Sequence, residues 1–322
     1  MRKWIKIISC LLLIAGGVVL CAVRWQAWFA MPPEPEWTGD TLTYVFPNLT
    51  GETDLTSNSP KDDLTILVLG DIHNRLTRED YDTLAARVPN ADLVIQTGDW
   101  MERGYNYYYQ SLLQEWTNSE LMGLPVIACP GNHDYSKGPF KTLSPVWEKA
   151  FFDRRSMVNG LLTDVPGISY YVDIASMRLI VLDTNPLTRL VDLTRTLTWL
   201  REAMYSAGDH FIVMLMHHPV LSPGQGRFNP LIYATFRYAL SQADLVIAGH
   251  DHSYMRRSPF VVLNTAGRPK PQHFGFHADH TDTDFVYGVL QLSTIDHQSS
   301  MELRIFNLDN GALLDSLYVT HD

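Results

Sequence analysis

Five short segments of this chain carry side chains able to hold metal ions: Asp71-Ile72-His73, Gly98-Asp99, Gly131-Asn132-His133-Asp134, His217-His218 and Gly249-His250-Asp251-His252. A pair of divalent cations asks for about four ligands each, with one carboxylate able to bridge them. Hard or borderline ions select Asp, Asn and His over thiolates. Asp71, His73, Asp99, Asn132, His217, His250 and His252 supply that set without cysteine. Two such cations lower the pKa of a shared water and neutralise charge on phosphoryl oxygens, so the chemistry open to this set is hydrolytic attack on a phosphate ester.

The segments need elements that bring them together. Apolar runs that read as buried strands precede them: Leu64 to Leu69, Leu93 to Ile95, Val126 to Ala128, Phe211 to Met216 and Leu245 to Ala248. In open α/β sheets, loops leaving the carboxyl ends of strands converge on one crevice. Gly70, Gly98, Gly131 and Gly249 stand in or beside the turns, where only glycine takes positive φ cheaply and lets backbone approach an ion. A lone histidine after a strand is most often a structural residue; five segments in this order make a site. Strand-like runs near 64, 93, 126, 169, 178, 211, 244, 261, 285, 301 and 314 alternate with helical stretches around 78–88, 106–121, 194–206 and 231–241, which predicts an α/β fold. The closely spaced last strands predict a mixed sheet completed by antiparallel strands.

The order Asp-x-His, Gly-Asp, Gly-Asn-His-Asp, His, Gly-His-x-His resembles the calcineurin-like metallophosphoesterase superfamily, over about Leu64 to Phe306. The resemblance implies a four-layer αββα sandwich of two mixed sheets. It also implies that Asp71, His73, Asp99 and His252 hold one ion, and Asp99, Asn132, His217 and His250 the other. Asp99 would bridge, a hydroxide between the ions would be the nucleophile, His133 would stand beside the leaving group, and Asp134 would orient His133. A histidine held by a carboxylate suits protonation of a departing alkoxide, and bracing of the loop is the alternative for His133. Mixed His/Asp/Asn sites accept manganese, iron and zinc alike.

Gly98-Asp99-Trp100-Met101-Glu102-Arg103-Gly104 is similar to the element in which serine/threonine phosphatases grip substrate phosphate, which would give Arg103 that role; a surface ion pair with Glu102 is the alternative. Asp134 replaces that group's usual glutamate. Purple acid phosphatases are resembled in Gly249 to Arg256, yet Glu102 stands at their iron-binding tyrosine, and a charge-transfer ferric site is not expected. A catalytically idle member serving as a membrane-tethered binding module is the alternative to an enzyme. Such members usually lose ligands or the Gly-Asn-His histidine, and this sequence keeps them all.

The N-terminus reads separately. Ile5 to Val23 is nearly continuously apolar, is opened by Arg2, Lys3 and Lys6 and closes at Arg24 with Trp25, Trp28 and Phe29 beyond. That length approaches the roughly 20 residues a bilayer core requires. The positive charges before it predict a cytoplasmic tail and a translocated catalytic domain, so the protein is expected in the cell membrane as a single-pass, extracytoplasmic enzyme. A cleaved signal peptide is the rival, with no convincing cleavage site after the run. The expected organisation is an anchor over 1–30, a Pro-rich linker over 31–60 stiffened by Pro32, Pro33 and Pro35, and a catalytic domain over 61–322. Cys10 and Cys21 lie in the anchor; Cys129 remains, and reads as a small buried hydrophobe. The formal net charge of −10, with every acid beyond residue 30, argues against nucleic acid and leaves a small-molecule or lipid phosphate ester as the expected substrate. The segment from Tyr135 to Gly167 is either a cap over the site or a packed helix. His273, His277 and His280, between Pro269 and Thr283, match no ligand pattern and are expected in an exposed polar loop.

Overall fold

The computed structural model describes residues 63–321 apart from 105, 136–141, 153–159, 162–166, 188–191, 222–233, 235, 238, 270–278 and 296–297. In chain order its elements are β1 (Asp63–Leu69), α1 (Arg78–Arg87), β2 (Leu93–Gln96), α2 (Asn106–Thr117), β3 (Val126–Ala128), α3 (Pro145–Phe152), β4 (Gly160–Leu161), β5 (Tyr170–Ile174), β6 (Met177–Leu182), α4 (Leu193–Tyr205), β7 (Phe211–Met216), β8 (Leu245–Ala248), β9 (Tyr254–Arg257), β10 (Phe260–Val262), β11 (His280–Asp282), β12 (Val286–Ile295), β13 (Gln298–Asn307) and β14 (Leu313–Thr320). They form two mixed sheets, ordered β14-β13-β12-β1-β2-β3 and β11-β9-β10-β8-β7-β6-β5-β4.

The near-continuous apolar runs become the parallel strands. β1, β2 and β3 run parallel in the first sheet, and β6, β7, β8 and β10 in the second. Strands covered on both faces read this way because neither face meets water. Along β6 the residues alternate between two cores. Leu179 and Val181 join one apolar cluster with Leu67 and Ile95 of the first sheet, while Ile180 and Leu182 join Leu200 and Met204 of α4 in another. α1 and α2 add Tyr81, Leu84, Tyr109 and Trp116 to the first cluster, and Thr77 and Asp80 cap the start of α1 reciprocally.

Each of the eleven expected strand runs corresponds to a strand, and β4, β9 and β11 are additional. β9 carries Arg256 and Arg257, and β11 is polar. β11 pairs antiparallel with β9, whose Tyr254 and Met255 are buried, and Arg256 Nε donates to Asp315 Oδ2 of β14 in the other sheet at 2.6 Å. α3 is the packed-helix outcome for its part of the 135–167 segment, since Trp147 is buried and Phe151 stacks on Trp100 with ring centroids 4.9 Å apart. Arg154, Arg155, His273 and His277 lie outside the described residues, whereas His280 is half-buried in β11. Among the described residues no helix is long and apolar enough to cross a membrane, and the run from Ile5 to Val23 lies outside them.

Candidate metal centre

Each of the five segments leaves the carboxyl end of a parallel strand: 71–73 follow β1, 99 follows β2, 132–134 follow β3, 217 follows β7, and 250–252 follow β8. Both sheets contribute, so the side chains meet across the seam between them. The meeting imposes unusual backbone. His73, Asp99, His250 and His252 all have positive φ, from 52 to 74°. Such conformations in non-glycine residues cost about 1–3 kcal/mol each and persist where the surroundings enforce them, most often at functional sites. Gly98, at φ 102°, and Gly131 allow the closest approach, because a Cβ on Gly98 would stand 2.6 Å from His217 Nδ1 and one on Gly131 2.1 Å from the Asp99 amide nitrogen. Gly131→Ala should therefore fold but push the Asp99 turn aside, lowering turnover about 10²-fold and metal content below that of the wild type. Elemental analysis beside circular dichroism checks both halves.

One donor atom each from Asp71, His73, Asp99 and His252 lies within 4.8 Å of the others, and all four residues are buried. His73 Nε2 is 3.0 Å from His252 Nε2, 3.8 Å from Asp71 Oδ1 and 3.7 Å from Asp99 Oδ2. Beside this group, Asn132 Oδ1 is 3.1 Å from His217 Nε2 and 2.8 Å from His250 Nδ1. Asp99 Oδ2 faces this second group too, 3.3 Å from His217 Nε2. The other Asp99 oxygen accepts the His133 backbone N–H at 2.7 Å, which leaves Oδ2 between the groups.

The hydrogen-bond network makes this donor set fit for cations. His252 Nδ1–H donates to the Arg268 carbonyl at 2.7 Å, and His217 Nδ1–H to the Thr97 carbonyl at 3.0 Å, so the Nε2 atom of each turns inward. Imidazole nitrogens and carboxylate oxygens gathered in one buried place suit a bound cation, with backbone N–H groups of His250 and His133 steadying Asp71 and Asp99. Burial, partly opposed by the Asp99 charge, pulls the His73 imidazole down to about 3, so it offers a lone pair rather than a proton. Burial also works against a charge on His217, yet Asp99 outweighs it and raises that imidazole to about 9. Burial likewise opposes charge on Asp99, but His217 holds its carboxyl well below the usual range. An anion at this point already gathers positive charge.

His133 and Asp134 are placed differently from expectation. The Asp134 carboxylate accepts the backbone N–H groups of Asp99 at 2.9 Å, Gly131 at 2.8 Å and Met101 at 3.4 Å, and so binds two of the turns together. Burial and the nearby Asp99 charge push its carboxyl up to about 8. The partner of His133 is instead the Glu102 carbonyl, 2.6 Å from Nδ1. Adjacent side chains point apart, so Asp134 turns into the backbone while His133 packs edge-on to His73 with centroids 4.7 Å apart. Arg103 is half-buried and is absent from the lining of the cleft of about 800 Å³ beside His73 and His252. Glu102, Arg75, Asn74, Tyr108, His133 and Arg268 line that cleft. Arg75, two residues past His73, gave no sequence signal that it would turn inward. His218, named with His217 in its segment but left out of the expected ligand set, has Nδ1 2.7 Å from Thr184 Oγ1 and a donor atom that groups with those of His217 and His250. Cys129 is a buried hydrophobe whose thiol burial pushes well above its usual value.

A profile of the family described as calcineurin-like phosphoesterase matches residues 64–254. The chain belongs to this family. It is 24% identical over 172 residues to the glycerophosphodiester phosphodiesterase GpdQ of Enterobacter lignolyticus (strain SCF1), a match covering 50% of this chain and 56% of that protein. Among solved structures, purple acid phosphatase PPD1 from yellow lupin has a TM-score of 0.58 at 14% identity, covering 81% of this chain and 54% of that one. GAP50, titled the anchor in the inner membrane complex of Plasmodium, has a TM-score of 0.57 at 13% identity, covering 81% and 89%. Both likenesses are of fold. The match thus spans little more than half the length of GpdQ and of the lupin enzyme. In this family's fold the chain carries a buried cluster of His and Asp side chains whose donor atoms could hold a metal ion.

Proposed function

We propose that this metallophosphoesterase hydrolyses phosphodiesters of small molecules or lipid head groups with two divalent ions, manganese, iron or zinc. Support comes above all from one atom, Asp99 Oδ2, which faces both donor groups at 3.7 and 3.3 Å as a bridging carboxylate must. Asp71, His73, Asp99 and His252 would hold one ion, and Asp99, Asn132, His217 and His250 the other. When bound, such a pair lowers the pKa of a shared water towards neutrality and offsets negative charge on phosphoryl oxygens. The protein's own groups do the remainder. His133, held through Nδ1 by the Glu102 carbonyl, presents Nε2 as the group that hands a proton to the leaving oxygen. Arg75 in the cleft offers a guanidinium to an anionic substrate, and Arg103 keeps a phosphate-gripping role only if substrate reaches beyond the cleft. A diester is favoured because GpdQ is named a glycerophosphodiester phosphodiesterase. GAP50, named an anchor, speaks for the idle-module alternative; against it, the sequence keeps every expected donor, and Asp71, His73, Asp99 and His252 gather in one buried group.

Purified protein loaded with manganese or zinc should turn over bis(p-nitrophenyl) phosphate with kcat/KM at least about tenfold above that for p-nitrophenyl phosphate, a difference of about 1.4 kcal/mol in transition-state binding. The reverse preference would remove the diester assignment. No turnover of either ester by protein holding both ions would favour the module.

We also propose that Ile5 to Val23 anchors the chain, with the catalytic part outside the cytoplasm, on the strength of the apolar length and flanking charges. Full-length protein should then stay with membranes through carbonate washing and be digested beyond Pro35 by external protease. A soluble mature chain beginning after residue 23 would make the run a signal peptide.

A further inference from the structure

The histidines around the centre differ in one respect. His252 and His217 each give Nδ1 a backbone carbonyl, His133 has the Glu102 carbonyl, and His218 has the Thr184 hydroxyl. His73 alone among these five has a buried Nδ1 with no hydrogen bond. A histidine that ligates a metal almost always donates its other ring N–H to a carboxylate, carbonyl or water, which fixes the tautomer and aims the ligating nitrogen. For His73 to aim Nε2 at Asp71, Asp99 and His252, Nδ1 must carry the proton and needs an acceptor.

The group standing there is the Glu102 carboxylate, with Oε2 3.5 Å from His73 Nδ1. Its backbone is fixed: Glu102 N donates to Asn74 Oδ1 at 2.8 Å, and its carbonyl holds His133. Its side chain is about one-third exposed, and Oε2 also meets Arg75 Nη2 at 3.4 Å. Arg75 is anchored in turn on the Ala266 carbonyl at 3.2 Å. A small rotation of the Glu102 side chain closes the gap to a hydrogen bond without disturbing the backbone.

We infer that Glu102 is a positioning residue, whose carboxylate takes the His73 Nδ1–H and so orients His73 towards the ion held with Asp71, Asp99 and His252. One residue then serves both histidines, His133 through its carbonyl and His73 through its carboxylate. The inference rests on His73 being an ion ligand, as proposed above. Arg75 Nη2, 3.4 Å from Oε2, keeps the Glu102 carboxylate within reach of the His73 ring.

The test titrates manganese into metal-free, full-length wild type, Glu102→Ala, Glu102→Gln and His73→Ala by calorimetry, with thermal melting of each metal-free protein alongside. Wild type should bind two ions. Glu102→Ala should weaken one of them about 10- to 100-fold and leave the other unchanged. Glu102→Gln, which keeps a carbonyl oxygen at the same reach, should recover most of that loss, and His73→Ala should lose the same ion outright. Metal-free melting points should coincide for the wild type and the two Glu102 variants. Wild-type affinities for both ions in Glu102→Ala would overturn the inference while leaving the metal centre intact. Equal weakening of both ions with a lower melting point would make Glu102 merely structural. Complete loss of one ion in both Glu102→Ala and Glu102→Gln would make it a direct ligand. A wild type that binds no pair of ions would bring down the proposed centre and this inference with it.

Discussion

Asp99→Ala should purify as a folded protein that contains neither metal ion. The expectation follows from where the two carboxylate oxygens go. Oδ2 is 3.7 Å from His73 Nε2 and 3.3 Å from His217 Nε2, so it belongs to both donor groups. Oδ1 is taken by the His133 backbone at 2.7 Å. Removing the side chain therefore deprives each ion of a charged ligand and leaves the His73 and His217 rings facing a void. Bound ions stabilise developing charge by several kcal/mol, and each 1.4 kcal/mol is a factor of ten in rate, so turnover should fall by roughly 10³-fold or more. Asp99→Asn separates shape from charge: it keeps an acceptor for the His133 N–H but surrenders the anion, and should lose metal nearly as completely. Elemental analysis decides the matter. One ion per chain in the wild type, or two in Asp99→Ala, would end the case for a shared carboxylate.

The donor set was readable from sequence because each segment sits where an apolar run stops, and a run of buried parallel strand both predicts the fold and fixes which end its loop leaves from. The contacts that orient those donors were not readable. The family resemblance implied that Asp134 orients His133, yet the Asp134 carboxylate ties the Asp99 and Gly131 amides while a carbonyl 31 residues away holds the imidazole. Nothing in the residue type marks a carbonyl, since every residue has one. Glu102 and Arg103 show the same limit. Adjacent side chains diverge, so the turn that brings Glu102 to the cleft takes Arg103 off it, and Arg75 supplies a guanidinium there instead. In the sheets, β11 escaped notice because it is short and polar and is held by pairing with β9, and β9 because its two buried residues, Tyr254 and Met255, are followed at once by Arg256 and Arg257.

His133→Ala and His133→Asn should leave both ions in place and still lose most activity. The ions should stay because the hydrogen bond that holds Asp99 comes from the His133 amide, which donates to Asp99 Oδ1 and survives either substitution; the ring adds only an edge-on contact to His73. The ring does something else. Its Nδ1 is held by the Glu102 carbonyl, which a ring N–H satisfies, and the remaining nitrogen belongs to a ring that lines the cleft beside His73 and His252. Proton transfer from a positioned histidine to a departing oxygen is worth about 10²- to 10⁴-fold, and kcat should fall by that factor. The dependence on the leaving group discriminates further. An alcohol of high pKa cannot depart as the bare alkoxide and needs the proton fully, whereas a nitrophenolate leaves almost unaided, so the defect should shrink steadily as leaving-group pKa falls. A series of aryl and alkyl diesters measured on wild type and His133→Ala gives the two slopes. Parallel lines, with an equal loss for every ester, would show that the ring holds the phosphoryl group in place rather than donating to the oxygen that leaves.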